Sequence, residues 1–227
     1  EELSFYLNSL MYLGSIVLLF LLVRKVSAGN GMAGLFAALV FACTPHNITW
    51  SASGAAEPAA VFFAILAVWL ATLACATGKK RHLLFLILLV PLATQMRMES
   101  VLVVGLVLLL LVLFRPQLAA TKFFWGAGLM AGILFFPQVL HLYAVSGHDW
   151  GATDMQTLGL VHFYPNIVVN GPYFLLNREY PVLFTLLALV GLVAGPVSLR
   201  WRLFFATWFL TFFGLFLFFY AGSYHYG

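Results

Sequence analysis

Long apolar runs separated by short polar breaks make up most of this 227-residue chain. The runs are about 14–22 residues each, the length at which a helix begins to cross a bilayer. They predict about eight spans, near 5–23, 31–46, 57–77, 82–95, 99–114, 123–143, 181–198 and 203–220. The expected fold is therefore an all-α integral membrane bundle of about eight transmembrane helices, a single polytopic domain over 1–227, with a loop region on its outer face. One break stands out. Residues 94–100, Thr-Gln-Met-Arg-Met-Glu-Ser, place Arg97 and Glu99 between two runs that contain no charge.

Composition agrees with this pattern. The chain is 63% hydrophobic and 8% charged, with a mean hydropathy of +1.03, where a soluble domain carries roughly a quarter charged residues. The net charge of +4 is then no sign of nucleic-acid binding. Its basic residues sit in short clusters between spans: Arg24-Lys25, Lys79-Lys80-Arg81, Arg115 with Lys122, and Arg200 with Arg202. The positive-inside rule makes these loops cytoplasmic. Segments 46–56, 95–99 and 144–180 and both termini then face outside. No starting Met precedes Glu1 and the chain stops at Gly227; a piece of a longer membrane protein is expected.

The same rule decides the topology around Arg97. A single helix over 82–114 would run about 50 Å, against about 30 Å of hydrocarbon. Both its ends carry basic clusters, so the segment turns back on itself, and residues 94–100 are the turn. It shares the outer side with the Glu57 loop. Polar groups recessed there must face protein or water.

Segment 144–180 is the longest polar stretch and holds His148, Asp149, Asp154, His162, Arg178 and Glu179. Its apolar, aromatic part, 158–169, predicts a short helix lying in the outer interface, with Phe163, Tyr164 and Tyr173 at headgroup depth. The His and Asp residues match no tight metal-ligand spacing, and a solvated loop is the plainer reading. Cys43 and Cys75 fall near opposite faces, so free thiols buried as small apolar groups are expected rather than a disulfide.

Other motifs have structural readings. Gly29-Asn30-Gly31-Met32-Ala33-Gly34 spells a dinucleotide fingerprint, but a basic turn precedes it where a strand is required; it reads as a turn opening a helix. Asn47-Ile48-Thr49 is a formal glycosylation sequon hugging the membrane. Glu57 before Pro58 suits a helix start and equally an outward-facing polar cavity, which His46 also flanks. Arg97 and Glu99 read either as an ion pair at a turn or as ligands. Residues two apart do not face each other on a helix, so separate partners are expected. Arg97 is suited to paired hydrogen bonds with a phosphate, and Glu99 to a sugar hydroxyl or to ordering Arg97. Tyr224 and His225 are either an aromatic anchor or further cavity residues. No hydrolase triad motif, P-loop or HExxH occurs.

Three places resemble the GT-C class of membrane glycosyltransferases, of the protein-mannosyltransferase, aminoarabinose-transferase and RgtA-like types. They are Gly34-Leu35-Phe36-Ala37-Ala38-Leu39 through Pro45, with Ala56-Glu57-Pro58 leading into Phe62-Phe63; Gln95-Met96-Arg97-Met98-Glu99 before an aliphatic run; and Gly222-Ser223-Tyr224. The likeness covers most of 5–143. It implies transfer of a sugar from a polyprenyl-phosphate donor to a lipid, glycan or protein acceptor, in the cytoplasmic (plasma) membrane, with the active face outside. It implies Arg97 at the donor phosphate, and Glu57, Glu99, His46, Tyr224 and His225 around the substrate. The 144–180 loop, with Asp149, Asp154, Arg178 and Glu179, would cover them. The family's catalytic carboxylate lies in the first outer loop, expected ahead of Glu1, so no catalytic residue is assigned. No cofactor or metal ligand is implied firmly, and a divalent metal stays open; partners are the donor, the acceptor and membrane lipids, not nucleic acid. A lipid-carrier transporter, a membrane scaffold and an outer-face glycan polymerase or ligase are the rival readings. A transporter would place polar sites at mid-membrane, whereas polarity here gathers on one face.

Overall fold

The computed structural model describes residues 2–145, 158–176, 180–195 and 197–219. Among these residues the fold is helical and contains no β-strand. In chain order the helices are α1 (Glu2–Val26), α2 (Gly31–Ala42), α3 (Pro45–Ser51), α4 (Glu57–Thr77), α5 (Lys80–Met96), α6 (Leu102–Phe114), α7 (Pro116–Ala119), α8 (Lys122–Val145), α9 (Phe163–Leu176), α10 (Val182–Ala194) and α11 (Leu199–Phe218). Short 3₁₀ turns at Met98–Val101 and Leu160–His162 lead into α6 and α9.

Among the described residues four helices are long and apolar enough to cross a membrane, Glu2–Val26, Glu57–Thr77, Lys122–His141 and Leu199–Phe218, or five if α2 and α3 form one broken span, against the eight expected. The other expected spans are shorter helices: α6 and α10 have 13 residues each, about 20 Å at 1.5 Å per residue. The run at 31–46 ends early because Pro45 cannot continue α2. It starts α3 instead, bent from α2 by 65°, and most of the expected outer loop at 46–56 is this helix.

The chain divides into two compact units, Glu1–Gln138 with Val197–Phe204, and Val139–Pro196 with Phe205–Gly227. In the first, α4 is central, and α1, α5 and α6 all pack on it. Ala67, Val68, Ala71 and Ala74 of α4 are wholly buried. Small residues at this spacing let membrane helices approach closely, which replaces the hydrophobic drive that lipid removes. From α6 comes the stripe Val103, Leu106, Val107, Leu110 and Leu111, the i, i+3, i+4 pattern of a packed face. Gly34 brings α2 against α1: a Cβ there would lie 2.7 Å from the Phe20 carbonyl oxygen. The fingerprint-like stretch before it is a capped turn, with Ala28 and Gly29 at positive φ and the Asn30 side chain accepting from the Ala33 N–H at 3.1 Å.

Basic side chains from the loops close two helix ends. Gly78 ends α4 in the left-handed region, and Arg115 Nη1 donates to the Cys75 carbonyl one turn back, at 2.9 Å. Arg200 does the same for the end of α6, reaching the Leu113 carbonyl at 3.1 Å. Cys43 and Cys75 are free, but Cys43 is exposed rather than buried, because it sits at the α2–α3 break where no helix covers it.

In the second unit the apolar stretch expected as a short helix at 158–169 gives a helix with later bounds, Phe163–Leu176. Tyr164 is exposed, whereas Tyr173 is buried against protein. Asn166 and Asn170, one turn apart, are almost fully buried. Asn166 Nδ2 donates to the carbonyls of Phe216, Leu217 and Phe219 at 2.9, 3.2 and 2.7 Å, satisfying groups at and beyond the end of α11 that have no intrahelical partner.

Candidate functional site

The polar end of the first unit is built on α1. Asn8, 6% exposed, donates through Nδ2 to the carbonyls of Ser53 and Ala55, each at 2.7 Å. Tyr12 Oη donates to the Ala42 carbonyl at 2.7 Å, and Ser9 Oγ to the Ser51 carbonyl at 3.3 Å. α1 thus fastens the end of α2, the end of α3 and the loop that leads into Glu57. Pro58 then sets the first turn of α4, and Glu57 enters from its N-terminus, where a carboxylate is favoured.

The opposing side chain comes from the break between α5 and α6. Arg97 ends α5 in an extended conformation, φ −147° and ψ 134°. Its guanidinium grips Glu99 by a two-point fork, Nε to Oε2 at 3.3 Å and Nη2 to Oε1 at 2.9 Å. The third donor, Nη1, bonds Glu57 Oε1. Separate partners for Arg97 and Glu99 were expected from helical geometry. Arg97 is not helical: its extended backbone separates α5 from the 3₁₀ turn that carries Glu99, so the rule for two residues on one helix does not apply and the pair closes on itself.

The three side chains are partly buried, 22% exposed for Arg97, 30% for Glu57 and 18% for Glu99. Burial alone would lower the Arg97 pKa; the Glu99 hydrogen bond, its charge and that of Glu57 outweigh this and raise it above the ordinary arginine value. The guanidinium therefore stays charged at any working pH. Three of its five N–H groups are given to carboxylates, and no further acceptor meets it among the described residues. One cation between two anions leaves the cluster with a formal charge of −1 as it stands.

Glu57 also lines a pocket of about 150 Å³ with Tyr12, Phe41, His46, Asn47 and Trp50. The His46 and Trp50 rings meet edge to face, with centroids 5.9 Å apart. The Trp50 ring face beside amide, imidazole and carboxylate groups is a surface that can take a polar ring by stacking and hydrogen bonding.

Of the residues singled out in the sequence, Arg97, Glu99 and Glu57 meet directly, and His46 shares a pocket with Glu57. Tyr224, His225, Asp149, Asp154, Arg178 and Glu179 lie outside the described residues. Among the described residues no group of three or more His, Cys, Asp or Glu side chains stands close enough to hold a metal ion. Sequence reading missed Asn8, Tyr12 and Trp50. A signal was available for the first two: Asn8, Tyr12 and Ser15 recur at helical spacing in an otherwise apolar span, and polar groups there need a reason.

Residues 3–141 match the family described as dolichyl-phosphate-mannose-protein mannosyltransferase. The match covers more than half of the chain, which belongs to this family of GT-C membrane glycosyltransferases. No curated protein and no solved structure matches it.

Proposed function

We propose that this member of the dolichyl-phosphate-mannose-protein mannosyltransferase family transfers a sugar from a polyprenyl-phosphate donor to a lipid, glycan or protein acceptor at the outer face of the plasma membrane. The observation that carries the reading is the Glu57–Arg97–Glu99 cluster beside the pocket of His46 and Trp50. In this reading Arg97 takes the donor phosphate through the N–H groups it does not give to carboxylates. Charge-assisted, paired bonds of this kind are what a guanidinium offers and an ammonium does not.

Negative charge grows on the departing phosphate as the glycosidic bond breaks. A fixed cation at that oxygen gains most in the transition state, because the carboxylates have already oriented it. Glu57 and Glu99 thus have a positioning role towards Arg97, and Glu57 a second role towards sugar hydroxyls in the pocket. The expected bundle of about eight spans, with the short helices completing it, belongs to the same proposal.

The test is Arg97→Ala in the full-length protein, assayed in membranes with a polyprenyl-phosphate sugar. Transfer should fall by roughly 100-fold or more, with normal amounts of protein in the membrane. Undiminished transfer would overturn the phosphate role.

A further inference from the structure

At the opposite end of the first unit, α8 stands off from α5 and α6 and leaves an apolar groove of about 450 Å³. This lies within the range of about 300–1,000 Å³ of sites that take small molecules. Leu83 and Val90 of α5, Val104 and Leu108 of α6, and Phe124 and Ala131 of α8 line it. It runs along α5 for seven residues, about 10 Å. Of the α8 span only Ala127, which lines the groove, is buried by the protein, so in a bilayer the groove is filled by lipid or by a partner.

The mouth of the groove is basic. Leu83 follows Lys79-Lys80-Arg81 and Phe124 follows Lys122, and the Lys80 ammonium stands 5.4 Å from the centre of the Phe123 ring, which ties the two clusters together. All four basic side chains are exposed. None of the chain's seven acidic residues falls between Glu57 and Glu99 or between Glu99 and Asp149, so no carboxylate in these segments neutralises them.

We infer that this groove is a binding site for an anionic diacyl phospholipid, with a phosphate headgroup at Lys80 and Lys122 and an acyl chain between α5, α6 and α8. Charge complementarity selects the headgroup, since juxtamembrane lysines and arginines attract anionic lipid at close range. The apolar lining selects a chain over a free phosphate. The polyprenyl donor is not the occupant, because its phosphate belongs at Arg97, at the far end of α5. The site is independent of the transfer reaction.

The experiment titrates the detergent-solubilised full-length protein with dioleoyl phosphatidylglycerol or dioleoyl phosphatidylcholine and counts bound lipids by native mass spectrometry. Phosphatidylglycerol should bind at least about fivefold more tightly, and Lys80→Gln with Lys122→Gln should remove most of that preference. Gly128→Leu provides a second variant. Gly128 lines the groove and a Cβ there meets nothing within 4 Å, so leucine fills the groove without a clash; binding of both lipids should drop while the lipid-free melting temperature holds. Equal affinity for the two lipids would overturn the site, as would Gly128→Leu binding as well as the wild type. So would competition by soluble glycerophosphoglycerol as strong as that of the whole lipid, or displacement of phosphatidylglycerol by an equal concentration of polyprenyl phosphate.

Discussion

The two ends of α5 handle positive charge in opposite ways. At its C-terminal end one arginine is held by two carboxylates from different elements, Glu57 of α4 and Glu99 of the following 3₁₀ turn. At its N-terminal end Lys79, Lys80 and Arg81 stand exposed with no acid nearby in sequence. Pairing orients a guanidinium and fixes its charge; crowding unpaired cations leaves a field that solvent or lipid must answer. An oriented cation suits chemistry on a single atom. An unanswered field suits topology and lipid contact, which the positive-inside rule reads. In the proposed reading the same residue types therefore serve transfer at one end and placement in the membrane at the other.

The largest expected effect breaks the first half of this contrast. Beyond the loss expected for Arg97→Ala, Arg97→Lys should also fail to restore transfer, because an ammonium keeps the charge and loses the fork to Glu99. Recovery to near wild-type rates with lysine would mean that only the charge matters and that the two ends differ in degree alone. Transfer from a polyprenyl-phosphate sugar, divided by protein present, checks this.

Next in size is the support behind the acidic end. Asn8→Ala removes the donor that holds the Ser53 and Ala55 carbonyls in a partly buried place, at a cost of about 1 kcal/mol. The loop carrying Glu57 should loosen, raising KM for the donor several-fold more than it lowers kcat. Steady-state kinetics on the full-length enzyme would show it. An unchanged KM would place Asn8 in folding alone.

Gly34→Ala probes the frame that both ends share. Its methyl would lie 2.7 Å from the Phe20 carbonyl oxygen and 3.2 Å from Arg24 Cβ, and backbone cannot swing aside as a ring can. Separation of α1 and α2 should cost about 1–3 kcal/mol, read as a lower melting temperature in detergent. Gly14→Ala is the internal comparison. It meets the edge of the Phe62 ring at 2.6 Å, which can rotate, so it should cost less.

How far the sequence foretold this end depended on which physical rule applied. Loop charge and bilayer thickness together required a turn at 94–100 on the Glu57 side, and Arg97 does reach Glu57. Helical spacing then misdirected the reading of Arg97 and Glu99, because the rule was applied to a residue with extended backbone. At Pro45 the expected span at 31–46 is a bent pair of helices, which hydropathy does not foretell because it registers apolar composition and is blind to a 65° bend. Trp50 could not be placed from the sequence, since the pocket residues it shares besides His46 and Asn47 come from α1, α2 and α4 through packing.

Arg115 gives the smallest and most discriminating prediction, because it is the basic end's counterpart to Arg97. Its guanidinium donates to no carboxylate among the described residues; it donates to the Cys75 carbonyl and lies against Gly78 at the end of α4. This is a helix-end interaction with a backbone dipole, of the kind worth about 0.3–1 kcal/mol. Arg115→Ala should lower the melting temperature slightly and leave transfer per folded molecule within about twofold of wild type, since a stability change of this size hardly alters the folded fraction. A loss of transfer approaching that of Arg97→Ala, with folding intact, would show that the basic end communicates with the chemistry. The division between an end that orients charge and an end that displays it would then have to be given up.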